Sequence, residues 1–253
     1  MLIVPRVVVG RRDGVAWITE FSHADGVHAV RPVHPSGAVR YADGQLSVAG
    51  YRHAVAEAVR RMRAGELDKV VLAHDLLAIA DAPLDARHLL AGLAARYPTC
   101  WSYAVDGLVG ATPELLMRRR AGTVWSRVLA GTIWPGPATV ADLGDTLLGS
   151  EKDRHEHRLA VQSLVDSLRP LCAELTAPDE PVPLVLPNVT HLASDIAGTL
   201  PVEAPPSLLE LAAAVHPTAA VGGTPREVAV PLIAALEGMD RGRYAGPVGW
   251  VDA

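Results

Sequence analysis

Helical periodicity is clearest from 149 to 169, where Val161, Leu164, Val165 and Leu168 recur at three- and four-residue spacing and mark one buried face. Ser150 is placed to cap that helix, and Glu151 and Asp153 occupy its first turn, where carboxylates favour the positive end. Glu156 lies well round the helix from the apolar stripe, free to face a cleft, whereas His157 falls near the stripe. The same periodicity predicts helices over 51–64 (Ala54, Val55, Ala58, Val59, Met62), 85–96 (Leu89, Leu90, Leu93), 207–215, and 225–237 with Pro231 inside it.

Strand-like stretches alternate with turn signals. Residues 7–11 and 15–19 flank Asp13-Gly14, a hairpin signature, and 22–50 reads as a loose segment. Residues 69–79 read as one strand on which Lys69 shares a face with Val71 and Ala73. A meander follows: 101–105 turns at Asp106-Gly107 into 108–111, and 115–119 turns at Ala121-Gly122 into 123–129. Between these hairpins, Thr112-Pro113-Glu114 sets a carboxylate at a strand entrance, and Leu129-Ala130-Gly131-Thr132 closes the meander. A Pro/Gly loop then leads to the central helix. Beyond that helix come a linker at 178–183, an extended stretch over 184–200 containing His191, a Gly-rich loop at 217–224 and a final strand over 244–251 beginning at Tyr244. Antiparallel strands in runs, with helices in groups, predict an α+β layout with large sheets in one domain over 1–253.

Composition narrows the function classes. At 253 residues, 49% hydrophobic and 20% charged, the chain is ample for one sizeable core. A net charge of −5 argues against a nucleic-acid surface. The two cysteines, Cys100 and Cys172, have neither disulfide-like nor metal-like spacing and fit a reducing cytoplasm. No apolar run is long enough for a membrane span. The chain lacks a G-x-G-x-x-G after a strand, a P-loop, an H-E-x-x-H and a G-x-S-x-G.

Five ordered segments then carry a resemblance: D-K-V-V-L-A-H (68–74), G-A-T-P-E-L-L (110–116), L-A-G-T (129–132), S-E-K-D-R-H-E-H (150–157), and H-P-T-A-A-V-G-G-T-P-R-E (216–227) with Y-A-G-P-V-G-W (244–250). Together they resemble the chorismate-utilising enzymes, a group holding isochorismate synthase, salicylate synthase and anthranilate synthase component I. The resemblance implies two large packed antiparallel sheets with flanking helices and a Mg²⁺-dependent site for chorismate. It implies Lys69 as the base that activates water and Glu114 as the acid that protonates the departing C4 hydroxyl. It further implies Glu156 as a Mg²⁺ ligand, Gly131 and Thr132 as substrate contacts, and His191 and Tyr244 as pocket residues near the ring. A monomer without nucleic-acid or membrane partners is expected. The family's last segment, with an arginine and a lysine for the substrate carboxylates and a second metal glutamate, should lie beyond Ala253. The 253-residue chain is accordingly expected to be an internal part of a longer protein and inactive by itself.

The chemistry asks for these residue types independently. Exchanging the C4 hydroxyl for water at C2 needs a base on one side of the ring and an acid on the other. A lysine serves as base when burial or a nearby cation favours the neutral amine, and a carboxyl serves as acid when a partly apolar setting keeps its proton. Magnesium takes hard oxygen ligands and keeps waters, so one or two glutamates plus a substrate carboxylate suit it. Read alone, each residue also has a plainer reading: Lys69 as the start of an exposed strand, Glu114 as a solvated turn residue, Glu156 as part of a solvated face, His191 as a satisfied core histidine, Tyr244 as sheet packing. Ammonia-using members of the family carry Gln where Lys69 stands, so the lysine and the 216–226 loop favour isochorismate synthase. Salicylate synthase shares the lysine and is the alternative, as is a folded chain without turnover.

Overall fold

The structure is a computed structural model and describes residues 3, 7–12, 15–20, 32–135 and 140–251. The chain forms two compact units, Met1–His34 and Pro35–Ala253, where the sequence reading expects one domain. In the first unit, β1 (Val7–Arg12) pairs antiparallel with β2 (Val15–Glu20). The expected Asp13-Gly14 turn lies outside the described residues.

The second unit opens with β3 (Val39–Asp43), α1 (Val48–Arg63), β4 (Lys69–Val70), β5 (Leu76–Ala80) and α2 (Ala86–Arg96). It continues through β6 (Trp101–Val105), β7 (Leu108–Thr112), β8 (Leu115–Arg120) and β9 (Thr123–Ile133) to α3 (Val140–Gly149) and α4 (Glu151–Leu168). Then come β10 (Glu174–Thr176), β11 (Val182–Leu186), β12 (Val189–Thr199), α5 (Leu208–Val215), β13 (Gly223–Thr224) and α6 (Arg226–Glu237).

A five-stranded antiparallel sheet organises this unit, in the order β10-β12-β9-β8 with β11 also on β12. Its two long strands, β9 and β12, bury alternate residues on one face: Val124, Ser126, Val128 and Ala130 against Leu192, Ser194 and Ile196. Helix α4 covers that face with Ala160, Leu164, Val165 and Leu168, and α5 adds Leu211 and Val215. The Ser150 side chain caps α4 by accepting from the Asp153 N–H, as its sequence predicts. The remaining ladders, β3 with β5, β6 with β7 and β4 with β13, are two-stranded and antiparallel. The α+β reading therefore holds, with one large sheet among the described residues. Among those residues, no helix is long and apolar enough to cross a membrane.

Several boundaries differ from the sequence reading. Residues 69–79 form two strands: the Ala73 N–H donates to the Glu237 carboxylate, and the Asp75 carboxylate accepts from the Gln45 and Leu46 N–H groups. The first of these bonds takes the Ala73 N–H out of a single ladder. Residues 184–200 belong to a hairpin, because Pro187-Asn188 turns β11 into β12. Helix α3 stands where a Pro/Gly loop is expected, and β3 lies in the segment read as loose. Residues 244–251 are turn and irregular chain rather than a strand, folded by hydrogen bonds from the Tyr244 and Gly246 N–H groups to the Arg241 and Arg243 carbonyls.

Candidate active site

The cavity that matters lies where β4, the β7–β8 connection, the end of β9 and the first turns of α4 converge. It encloses about 300 Å³, and its wall includes Lys69, Glu114, Gly131, Thr132, Glu156 and His191. Six of the seven residues singled out from the sequence are thus brought together. Tyr244 is not among the lining residues and is 61% exposed.

Lys69 sits in β4, opposite Thr224 of β13. Its neighbour Val70 faces Gly223, where an added Cβ would fall on the Lys69 carbonyl, so the close backbone approach needs glycine there. Lys69 is only 8% exposed, and its Nζ lies 3.2 Å from Oε1 of Glu156. A strand ammonium on one side and a helix carboxylate on the other thus form one charged pair at the cavity wall.

Glu114 follows Pro113 in the short β7–β8 connection, and its N–H donates to Thr112 Oγ1. Burial pushes its carboxyl up to about 7, against the Leu129 backbone and the Lys69 charge, which both favour the ionised form. Near neutral pH this group holds a transferable proton. Lys69 and Glu114 therefore supply a candidate base and a candidate acid to one cavity.

A bulge shapes the third wall. Register runs Ala130↔Leu192 and then Thr132↔His191, leaving Gly131 as the extra residue of β9. Simple alternation would put Thr132 on the face of Ala130, towards α4. The inserted residue moves it to the opposite face with His191, whose Nδ1 lies 2.8 Å from Thr132 Oγ1. Gly131 has φ of +76°, and an added Cβ would lie 3.1 Å from the Asp153 carbonyl oxygen in the first turn of α4. Gly131→Ala should therefore lower unfolding stability by about 1–3 kcal/mol, read as a shifted urea midpoint at constant slope.

Two histidines frame the site as neutral groups. His157 is 2% exposed, with Nδ1 3.1 Å from the Ala130 carbonyl and Nε2 2.8 Å from Ser194 Oγ. Burial holds its pKa below the usual histidine value, so Nδ1–H donates to the carbonyl and Nε2 accepts from the hydroxyl. It ties α4 to the strand just before the bulge. His191 is likewise lowered by burial, with the Gly131 backbone opposing. The sequence reading names neither Ser194 nor Ala220 as a site residue. Ala220, part of the cavity wall, falls inside the 216–227 motif, which is the signal that would have found it.

For a metal, Glu156 offers one hard-oxygen ligand at the cavity wall. Among the described residues, no group of three or more His, Cys, Asp or Glu side chains could hold an ion. That donor set fits Mg²⁺ only in its usual mode of one carboxylate supplemented by substrate oxygens and water.

The comparisons with known proteins agree with this geometry. Residues 19–253 match the model of the chorismate binding enzymes. A Mycobacterium tuberculosis protein, whose own assignment as an isochorismate synthase is provisional, is 41% identical over 248 residues, covering 90% of this chain and 66% of that protein. Isochorismate synthase EntC of Escherichia coli is 38% identical over 210 residues, covering 80% and 53%. Among solved structures, the menaquinone-specific isochorismate synthase MenF of Escherichia coli superposes with a TM-score of 0.79 at 26% identity, covering 94% of this chain and 60% of that one. Anthranilate synthase component I of Streptococcus pneumoniae shares the fold, with a TM-score of 0.69 at 22% identity over 82% and 46%. The chain spans about half to two thirds of the length of these relatives. The matched family model covers nearly all of it, and on that ground the chain belongs to the chorismate binding enzymes.

Proposed function

We propose that this protein is an isochorismate synthase, adding water at C2 of chorismate and expelling the C4 hydroxyl. The observation that carries the reading is the pairing in one cavity of a buried lysine with a carboxyl held near 7. Lys69 takes a proton from water as it attacks, and Glu114 delivers one to the leaving oxygen. One water enters and one leaves, so the exchange is an isomerisation without redox change. Thr132 and His191 line the wall beside the ring, and Gly131 keeps the backbone close enough to contact the substrate.

Charge supports the Mg²⁺ assignment. Chorismate carries two carboxylates, whereas Lys69, the one cation lining the cavity among the described residues, is already balanced by Glu156. A dianion entering that wall needs further positive charge. Glu156 is the residue that would hold Mg²⁺, which when bound supplies charge that anchors a substrate carboxylate and favours a neutral amine nearby. Glu156→Gln should lower metal affinity and turnover together, by about a hundredfold, in a Mg²⁺ titration of the rate. Full activity of that variant in the presence of chelator would remove Glu156 from the metal site.

Product analysis on the intact gene product tests the assignment itself. Isochorismate without pyruvate supports it. Salicylate with stoichiometric pyruvate, or anthranilate when ammonia is supplied, would replace it with another activity of the family.

A further inference from the structure

The candidate base rides on a very short ladder. Only Lys69 and Val70 pair with β13, and two residues are too few to hold a register alone. Flanking bonds extend the pairing by one residue each way, from the Asp68 N–H to the Thr224 carbonyl and from the Val71 N–H to the Gly222 carbonyl. Beyond them the chain is held by side chains from the end of α6. Glu237, 2% exposed, ends that helix, and Arg241 folds back on it after Gly238, whose φ is +60°.

The two side chains form a fork: Arg241 Nε lies 2.8 Å from Glu237 Oε2, and Nη2 lies 2.5 Å from Oε1. Both side chains also bond to backbone. Arg241 Nη2 donates to the Val71 carbonyl at 2.8 Å, and Nη1 donates to the Val221 carbonyl at 3.0 Å. Glu237 Oε1 accepts from the Ala73 N–H at 2.6 Å. One ion pair, with Glu237 buried and Arg241 half-buried, thus binds both partners of the ladder, the chain just after Lys69 and the loop just before Gly223. An arginine fork fixes direction as well as distance, which a point charge does not.

We infer that Glu237 and Arg241 are positioning residues for Lys69: the pair sets the register of the short β4–β13 ladder and so aims the lysine amine into the cavity. This deepens the proposed activity and rests on it for the role of Lys69. The pair does not line the cavity, so its effect on the reaction should pass through the chain it holds, Lys69 on one side and the Ala220–Val221 stretch on the other.

The test exploits the sequence. Lys69 and Lys152 are the two lysines of the 253-residue sequence, and Lys152 is 84% exposed at its side chain, giving an internal reference. Arg241→Lys keeps a positive charge and loses the fork. In the intact gene product, kcat for isochorismate formation should fall about a hundredfold with KM nearly unchanged, the scale of a misplacement of about 1 Å. Labelling with acetic anhydride, followed by peptide mass spectrometry across pH, should show the Lys69-to-Lys152 ratio rising about tenfold as the strand opens locally. Glu237→Gln keeps an oxygen for the Ala73 N–H and should give smaller changes in the same direction, so it serves if Arg241→Lys fails to fold cooperatively. An unchanged labelling ratio in both variants overturns the inference, whether or not kcat falls. A changed ratio in a protein that makes no isochorismate supports the clamp and overturns the activity assignment instead.

Discussion

Lys69→Ala should abolish water addition to chorismate while leaving substrate binding nearly intact. A general base acts in the transition state, so its loss appears in kcat, by roughly a hundred- to ten-thousandfold, with little change in KM. The substitution leaves Glu156 without its partner, but that side chain is 34% exposed and can be solvated, so the variant should still fold. Lys69→Arg sharpens the test. It preserves a cation beside Glu156 yet cannot release a proton near neutral pH, and should be as inactive as the alanine variant. Activity retained by Lys69→Arg would reduce Lys69 to an electrostatic anchor.

The second large effect concerns Glu114. Replacing it by Gln keeps the shape and removes the acidic proton, so kcat should again fall by roughly a hundred- to ten-thousandfold. The acid works only while protonated. With its carboxyl held at about 7, kcat/KM of the unmodified enzyme should decline as pH rises through that value. Whatever rate remains in Glu114→Gln should lack this limb. Stability should carry the same signature. The folded state keeps this proton where the unfolded chain, with a value near 4.5, has released it. Its contribution is therefore complete below 4.5 and lost as pH rises to about 7, a change of about 3 kcal/mol. Denaturant melts from pH 4.5 to 8 should show that decline in the unmodified protein, and Glu114→Gln should remove it.

The sequence made the site more legible than the fold. Lys69, Glu114, Gly131, Thr132 and Glu156 lie in the ordered sequence motifs, His191 lies in an extended stretch between them, and all six line one cavity. Helix α4 was readable because its apolar stripe and its Ser150 cap are both local signals. Elements without a buried face left no period to read: every residue of β3 is exposed, so Val39–Asp43 looks like loop until β5 pairs with it. The end of the ladder is invisible in V-V-L-A because the Ala73 N–H turns to a side chain distant in sequence, that of Glu237. Pro187-Asn188, by contrast, is an ordinary turn signal that an apolar run on both sides concealed. The Y-A-G-P-V-G-W stretch has strand-like spacing, yet its backbone closes into turns that leave Tyr244 facing outward.

The most direct measurement of the central claim is the origin of the new hydroxyl. Chorismate turned over by the intact gene product in oxygen-18 water with Mg²⁺ should yield isochorismate carrying one solvent oxygen, at C2. Unlabelled isochorismate, or a product bearing nitrogen from added ammonia in place of that oxygen, would contradict a site in which Lys69 activates water.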